Sequence, residues 1–235
     1  MSTLNILNSS APLNILYEDN HIIVINKNAS DIVQGDKTGD ETLPDRIKAY
    51  LKEKYQKPGN VFCGVVHRLD RPTSGAVIFA RTSKALERLN KQFREKETNK
   101  IYWAIVEAKK EIHSGTLTHF LKKNEKQNKS YASKVDSPGS KKAVLHYYKI
   151  ASSDNYNLLE VTLETGRHHQ IRCQLSSIGF PIRGDVKYGA KRPNKDASIS
   201  LHARSIEFFH PITKKLIKIT APTPNEELWD FFSNK

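Results

Sequence analysis

The sequence predicts an α+β protein. Two observations lead there: short runs rich in Ile, Val, Leu and Tyr alternate with a period of two between turn residues, as strands do, and a few amphipathic stretches separate them, with capping residues before them or glycine after them. Size is the third, since 235 residues, 37% of them hydrophobic, allow one large domain or two small ones with a substantial core.

Residues 1–13 read as a loose leader, and the folded unit is expected over residues 14–235. From Asn14 the chain reads as a hairpin, residues 15–18 and 22–25 around the Asp19-Asn20 turn. Residues 42–55 carry a helix signature, with Thr42 as N-cap, Pro44 and Asp45 in the first turn, and Leu43, Ile47, Tyr50 and Leu51 on one face. Residues 76–80, Ala-Val-Ile-Phe-Ala, are an apolar run with the length of a buried strand. Ser83 is placed to cap a second helix whose inner face holds Leu86, Leu89 and Phe93, while Lys84, Arg88, Lys91 and Arg94 fall on solvated surface. Residues 100–106 form a strand with Ile101, Trp103 and Ile105 on one side and Tyr102, Ala104 and Val106 on the other, so that pattern alone makes Tyr102 a core or cross-strand aromatic. Residues 141–151 and 156–164 read as two strands, and Ile171, Leu175 and Ile178 recur at helical spacing with Gly179 as the stop. His168 and Arg172, four apart, are then expected to share another face of that helix. A strand over residues 216–221 and a short helix over residues 224–233, containing Leu228, Trp229 and Phe232, close the chain.

Composition narrows the function. No apolar run is long enough to span a bilayer and the first residues lack the pattern of a signal peptide, so the cytoplasm is the expected compartment and no membrane partner is expected. Cys63 and Cys173 have no metal-ligand spacing, and His168-His169 lacks acidic or Cys partners at suitable spacing, so no metal is expected. Lys and Arg total 38 against 25 Asp and Glu, a formal charge of +13, which points to a polyanionic partner. Between Lys122 and Lys142 there are seven lysines against only Glu125 and Asp136, which reads as a mobile basic arm able to close over nucleic acid.

The string from His67 to Gly75, His-Arg-Leu-Asp-Arg-Pro-Thr-Ser-Gly, organises the rest. Pro72 biases Arg71 away from helix and Thr73, Ser74 and Gly75 are turn formers, so Asp70 is expected on an irregular connection, with Arg68 and Arg71 favouring its ionised form. Charged turns are common and their ion pairs weak, so local chemistry alone favours a salt-bridged surface turn.

The whole string, however, resembles the signature H-R-L-D-x-x-T-S-G of the RluA-type family of RNA pseudouridine synthases, and other segments resemble that family in the same order. Lys27, Val33 and Gln34 fit its K-P-x-G-x-x-V-H/Q, with Asn28 and Ser30 in place of the Pro and the first Gly. Lys100-Ile101-Tyr102-Trp103-Ala104 fits K-x-Y-x-A, and residues 165–172, Thr-Gly-Arg-His-His-Gln-Ile-Arg, fit T-G-R-x-H-Q-I/L-R, followed by Cys173-Gln174-Leu175 where many members have Val-His-Leu. Gly184-Asp185-Val186-Lys187-Tyr188-Gly189 fits G-D-x-x-Y-G, its glycines suggesting tight turns, and Leu201-His202-Ala203 through His210-Pro211 fits L-H-A…H-P. The resemblance spans about residues 15–222 and leaves no room for the N-terminal S4 domain that many members carry.

The resemblance implies a central mixed, largely antiparallel sheet in two halves with a basic active-site cleft, and a catalytic domain over residues 14–235. It implies Asp70 as nucleophile, Tyr102 beneath the target base where it helps remove the proton from carbon 5, and Arg172 paired with Asp70. By the same resemblance Arg167 and His169 help bind RNA or shape the cleft, Leu201 lines the uracil pocket, and Arg68, from its place beside Asp70, fills the position of the flipped base or grips the backbone. The reaction breaks the bond from ribose to uracil nitrogen 1 and rejoins the base through carbon 5. It is an isomerisation, so no cofactor is expected. Attack on the sugar, attack on the base and removal of a ribose proton are all open to such a carboxylate. The expected partner is structured RNA, ribosomal or transfer, with no obligate protein partner. Two other classes share parts of the pattern: a noncatalytic RNA-binding factor, which would release no tritium from uridine carbon 5, and an Asp-dependent hydrolase, which would liberate free uracil.

Overall fold

The structure, a computed structural model, describes residues 12–35, 39–108 and 110–234. All but the last two positions of the expected leader lie outside the described residues. The chain opens on the hairpin β1 (Ile15–Glu18) and β2 (Ile22–Lys27), then α1 (Leu43–Lys54), which Thr42 caps by accepting from the Asp45 amide. A two-residue strand β3 (Gly64–Val65) precedes the irregular Asp70 connection and β4 (Ser74–Ala80). There follow α2 (Ser83–Glu95), β5 (Asn99–Glu107), β6 (Ser114–Asn124), β7 (Lys129–Ser133), β8 (Lys141–Ser152), β9 (Tyr156–Leu163) and α3 (Gln170–Ser177). A 3₁₀ turn at Val186–Tyr188, β10 (Leu201–Phe209), β11 (Leu216–Thr220) and α4 (Glu227–Ser233) complete it.

The strands form one sheet ordered β1-β2-β4-β10-β5-β9-β8-β6-β7, with β3 on β4 and β11 on β10. Every strand pairing is antiparallel except β4 with β10, where Ser74 and Gly75 lie beside His202 and Ala203. Alternation sorts the core: Ile23, Ile25, Val77, Phe79, Tyr102 and Ala104 face the layer holding Leu43, Ile47 and Leu51 of α1 and Ile171 and Leu175 of α3. Ile22, Val24, Ile78 and Ala80 face the opposite layer with Ala85 and Leu89 of α2, while Trp229 and Phe232 of α4 cover Ile105 and Leu158. The Asp70 loop therefore comes from one half of the sheet and α3 from the other, and both sit over the central strands β5 and β10.

Four expectations change. Thr82, not Ser83, caps α2, its hydroxyl accepting from the Ala85 amide. Ser74 and Gly75 belong to β4 rather than to the turn: Gly75 has φ +114 and a Cβ there would collide with the backbone of Ala203, so the parallel junction needs glycine. The helix after the second motif begins at Gln170, leaving His168 in the turn before it, so His168 and Arg172 do not share a helical face. The lysine-rich arm is not a loose loop, because β6 and β7 pair from Phe120↔Ser133 to Asn124↔Lys129 and β8 begins at Lys141. Lysine fits such a pairing because β7 is an edge strand, where exposed charge deters further strand addition. Ser30, standing where the family pattern has glycine, adopts φ 78, the backbone conformation that glycine favours. Gln174, in place of the usual His, is buried and donates to the carbonyl of Leu117 at 3.0 Å.

Candidate active site

A cleft of about 390 Å³ opens over the junction of the two halves. Asp70, Tyr102, Arg172, Arg68, Arg167, His169 and Leu201, the seven residues singled out from sequence, all line it. Tyr102 comes from β5, Leu201 from the start of β10, Asp70 from the loop before β4, and Arg172 and His169 from α3 and its leading turn.

The central contact is between residues 102 positions apart: Arg172 Nη1 donates to Asp70 Oδ2 at 2.9 Å. Arg172 is buried and held from behind by Asp185, its Nε reaching Oδ2 at 2.7 Å and its Nη2 reaching Oδ1 at 2.9 Å. Burial works against the charged guanidinium, but the two carboxylates outweigh it and raise its pKa. A fork held by one carboxylate presents its remaining N–H to the other in a fixed direction. Arg68 and Arg71 do not pair with Asp70 as the local string suggested: Arg68 donates to Gln34 at 2.8 Å and Arg71, in the turn closed by the Thr73 amide on the Asp70 carbonyl, donates to Asp40 at 2.8 Å.

His169 sits in a left-handed conformation, φ 51, at the start of α3, which turns its ring into the cleft with Nε2 at 3.5 Å from Asp70 Oδ2. Burial drives its pKa down to about 3, with Asp70 pulling it up and Arg172 pushing it down, so the ring is neutral. The Tyr188 hydroxyl accepts from the Ser130 amide at 2.8 Å and shares a hydrogen bond with His169 Nδ1 at 3.0 Å. Both close partners of the carboxylate meet Oδ2. Burial first and the Asp70 charge second raise the pKa of the Tyr102 hydroxyl, which stays protonated at neutral pH.

The Asp70 loop is fixed from beneath by Lys27, whose ammonium donates to the carbonyls of Asn28 at 2.9 Å, Arg71 at 3.0 Å and Thr73 at 2.7 Å. Burial lowers the Lys27 pKa to about 7. His67 accepts from the Ile78 amide at 3.1 Å and stacks on Phe93, anchoring the other end of the loop. Asp185, Tyr188 and Lys27 are site residues that sequence reasoning passed over. All three lay inside recognised segments: Asp185 and Tyr188 between the turn glycines 184 and 189, and Lys27 as the first position of the segment after the opening hairpin.

Four cationic side chains, Arg68, Lys100, Arg167 and Arg172, line the cleft with one carboxylate, Asp70. A carboxylate clamped by a buried guanidinium in a cation-rich cleft is an arrangement suited to a polyanionic substrate. Comparison with known proteins makes the class specific. Residues 21–177 match the family model described as RNA pseudouridylate synthase. The chain is 38% identical over 219 residues to an uncharacterised RNA pseudouridine synthase, YhcT, of Bacillus subtilis, covering 90% of this chain and 69% of that one. It is 34% identical over 225 residues to ribosomal large subunit pseudouridine synthase D of Zymomonas mobilis, covering 92% and 70%. The human protein RNA pseudouridylate synthase domain containing 4 shares the fold, with a TM-score of 0.76 at 23% identity over 93% of this chain and 92% of that one. The chain belongs to the RNA pseudouridine synthase family and is an isomerase acting on RNA.

Proposed function

We propose that residues 14–235 form a catalytic domain that converts one specific uridine of structured RNA to pseudouridine, with Asp70 as the nucleophile. The observation that supports this best is the Arg172–Asp70 pair at 2.9 Å, backed by buried Asp185 and open to solvent on one side. In this reading Arg172 holds Oδ2 with the His169 ring beside it, and the Asp70 carboxylate forms the transient bond, to ribose carbon 1′ or to the base, while the glycosidic bond to nitrogen 1 breaks. After the base turns, carbon 5 bonds to carbon 1′ and the bond to Asp70 breaks to return the carboxylate; the proton on carbon 5 departs and nitrogen 1 takes one up, so the product is an isomer and no redox partner enters. Tyr102, a neutral phenol, packs beneath the uracil and relays the carbon 5 proton rather than acting as a standing phenolate. Leu201 forms the apolar wall of the base site, and Arg68 and Arg167, both exposed at the rim, grip the backbone or fill the space of the extruded base.

The relatives named as ribosomal large subunit synthases favour ribosomal over transfer RNA as the substrate, acted on in the cytoplasm. The test is release of tritium from transcripts made with 5-tritiated uridine, one set ribosomal and one set transfer RNA. Release from ribosomal transcripts with the chain left intact is expected. Free uracil would replace the isomerase reading by a hydrolase, and binding without release would reduce the protein to an RNA-binding factor.

A further inference from the structure

The strand hairpin β6–β7 packs directly behind the catalytic helix. The Cys173 thiol of α3 donates to the Ser130 carbonyl at 3.2 Å, and Leu121, Ala132, Ala143, Cys173 and Tyr188 share one small core. The connecting turn is pinned as well: Lys187 donates to the Asn128 carbonyl at 3.3 Å, and the His168 ring bridges Asn128 Oδ1 at 3.0 Å and Ser130 Oγ at 2.9 Å. His168 then stacks on His169 with ring centroids 3.8 Å apart, and His169 faces Asp70. One continuous set of contacts runs from the hairpin turn to the catalytic carboxylate. Lysines run along the same hairpin, Lys122 on β6, Lys126 in the turn and Lys134 just past β7: among the described residues only Lys123 of the seven between 122 and 142 pairs with a carboxylate, Glu125 at 2.6 Å, while Lys122, Lys126 and Lys134 stand exposed. On the other strongly basic element, α2, Arg88 is spent on the Pro211 carbonyl and Lys91 lies 4.0 Å from Glu95.

We propose that the β6–β7 hairpin is the arm that takes RNA phosphates, and that His168 is a positioning residue which ties the seated arm to His169 and so to Asp70. The inference rests on the synthase reading above. Phosphate contacts fix register and orientation on the RNA, and an arm whose turn is bonded to the ring beside the nucleophile carries that register to the site. Uridine in correctly seated RNA is thereby met by an aligned carboxylate.

The experiment pairs two variants of the full chain with unmodified large-subunit ribosomal RNA transcribed with 5-tritiated uridine, measuring filter-binding affinity against salt and single-turnover tritium release at saturating RNA. Replacing Lys122, Lys126 and Lys134 together by Gln is expected to weaken binding about tenfold and to lower the steepness of the salt dependence by about two. His168→Phe keeps a ring on His169 but loses both bonds to the hairpin; it is expected to bind within about twofold of the parent and react about tenfold more slowly, as a misaligned nucleophile does. Ser130→Ala, which removes only a hydroxyl, should slow the reaction in the same direction. Unchanged affinity and salt dependence in the lysine variant, or an unchanged single-turnover rate in both His168→Phe and Ser130→Ala, overturns the proposal while leaving the synthase reading in place. If instead the parent releases no tritium from ribosomal or transfer RNA, the synthase reading fails and the positioning role falls with it. A lysine variant that still lost affinity would then support the arm as an RNA surface alone.

Discussion

At the scale of the residue, the site depends on Arg172 serving two carboxylates at once. Asp185 is almost wholly buried, so taking the guanidinium away strands a charge in the interior. Arg172→Met is expected to lower stability in urea by about 3–5 kcal/mol. Arg172→Lys, a point charge in place of a planar fork, is expected to lose most turnover because it cannot hold both partners in register. The double variant Arg172→Met with Asp185→Leu separates the two roles: stability should return while activity stays lost. Return of both would mean that Arg172 is merely structural. At this scale the sequence was readable where a motif was long. His67 to Gly75 and Thr165 to Arg172 located the pair, but neither spacing nor charge revealed that Asp185 holds Arg172 from behind, or that Tyr188 holds the His169 ring. Those are contacts made only once the chain has folded back on itself. The flanking arginines misled for the converse reason, since adjacency in sequence does not bring guanidinium groups to the same carboxylate.

At the scale of the element, the decisive junction is the parallel contact of β4 with β10, which seats the Asp70 loop against the strand that brings Leu201. Gly75→Ala meets both a left-handed φ and the Ala203 backbone, and should cost about 2 kcal/mol or more in thermal unfolding. Gly59→Ala, with open space and no left-handed φ, is the neutral control. Equal unfolding temperatures for the two variants would contradict the close approach. Strands and helices with clean periodicity, such as β5, β9 and α1, were legible from sequence because one face of each is buried. The β6–β7 hairpin was not, because its lysine-rich edge strand obscures the pairing that Leu121 and Ala132 make on the inner side.

At the scale of the whole molecule, burial of neutral histidines sets the acid limit of the fold. Burial brings His67 and His169 down to about 3 and His202 to about 4, against an unfolded value of about 6.5. Below about pH 6.5 the unfolded chain binds protons that the folded chain refuses, so this stability is complete above that pH and is lost as pH falls toward 3. Urea unfolding between pH 6.5 and 5 should show stability falling by about 1.4 kcal/mol per pH unit for each such ring. His202→Gln should remove about one proton from that slope; a slope unchanged by the substitution would show that the ring charges in the folded protein. The net charge of +13 spoke for a polyanion from the outset, but charge alone named no reaction. The reaction was named by the motif resemblance, and the two halves of the sheet bring the Asp70 and Arg172 of those motifs together.

The most direct measurement of that convergence is tritium release by Asp70→Asn, beside its affinity for the same labelled ribosomal transcript. Asn fills the same space and can remain beside Arg172, but it brings no negative charge and is a poor nucleophile. The account predicts affinity within about twofold of the parent and turnover reduced by about 10³ or more. Turnover near the parental rate would contradict it.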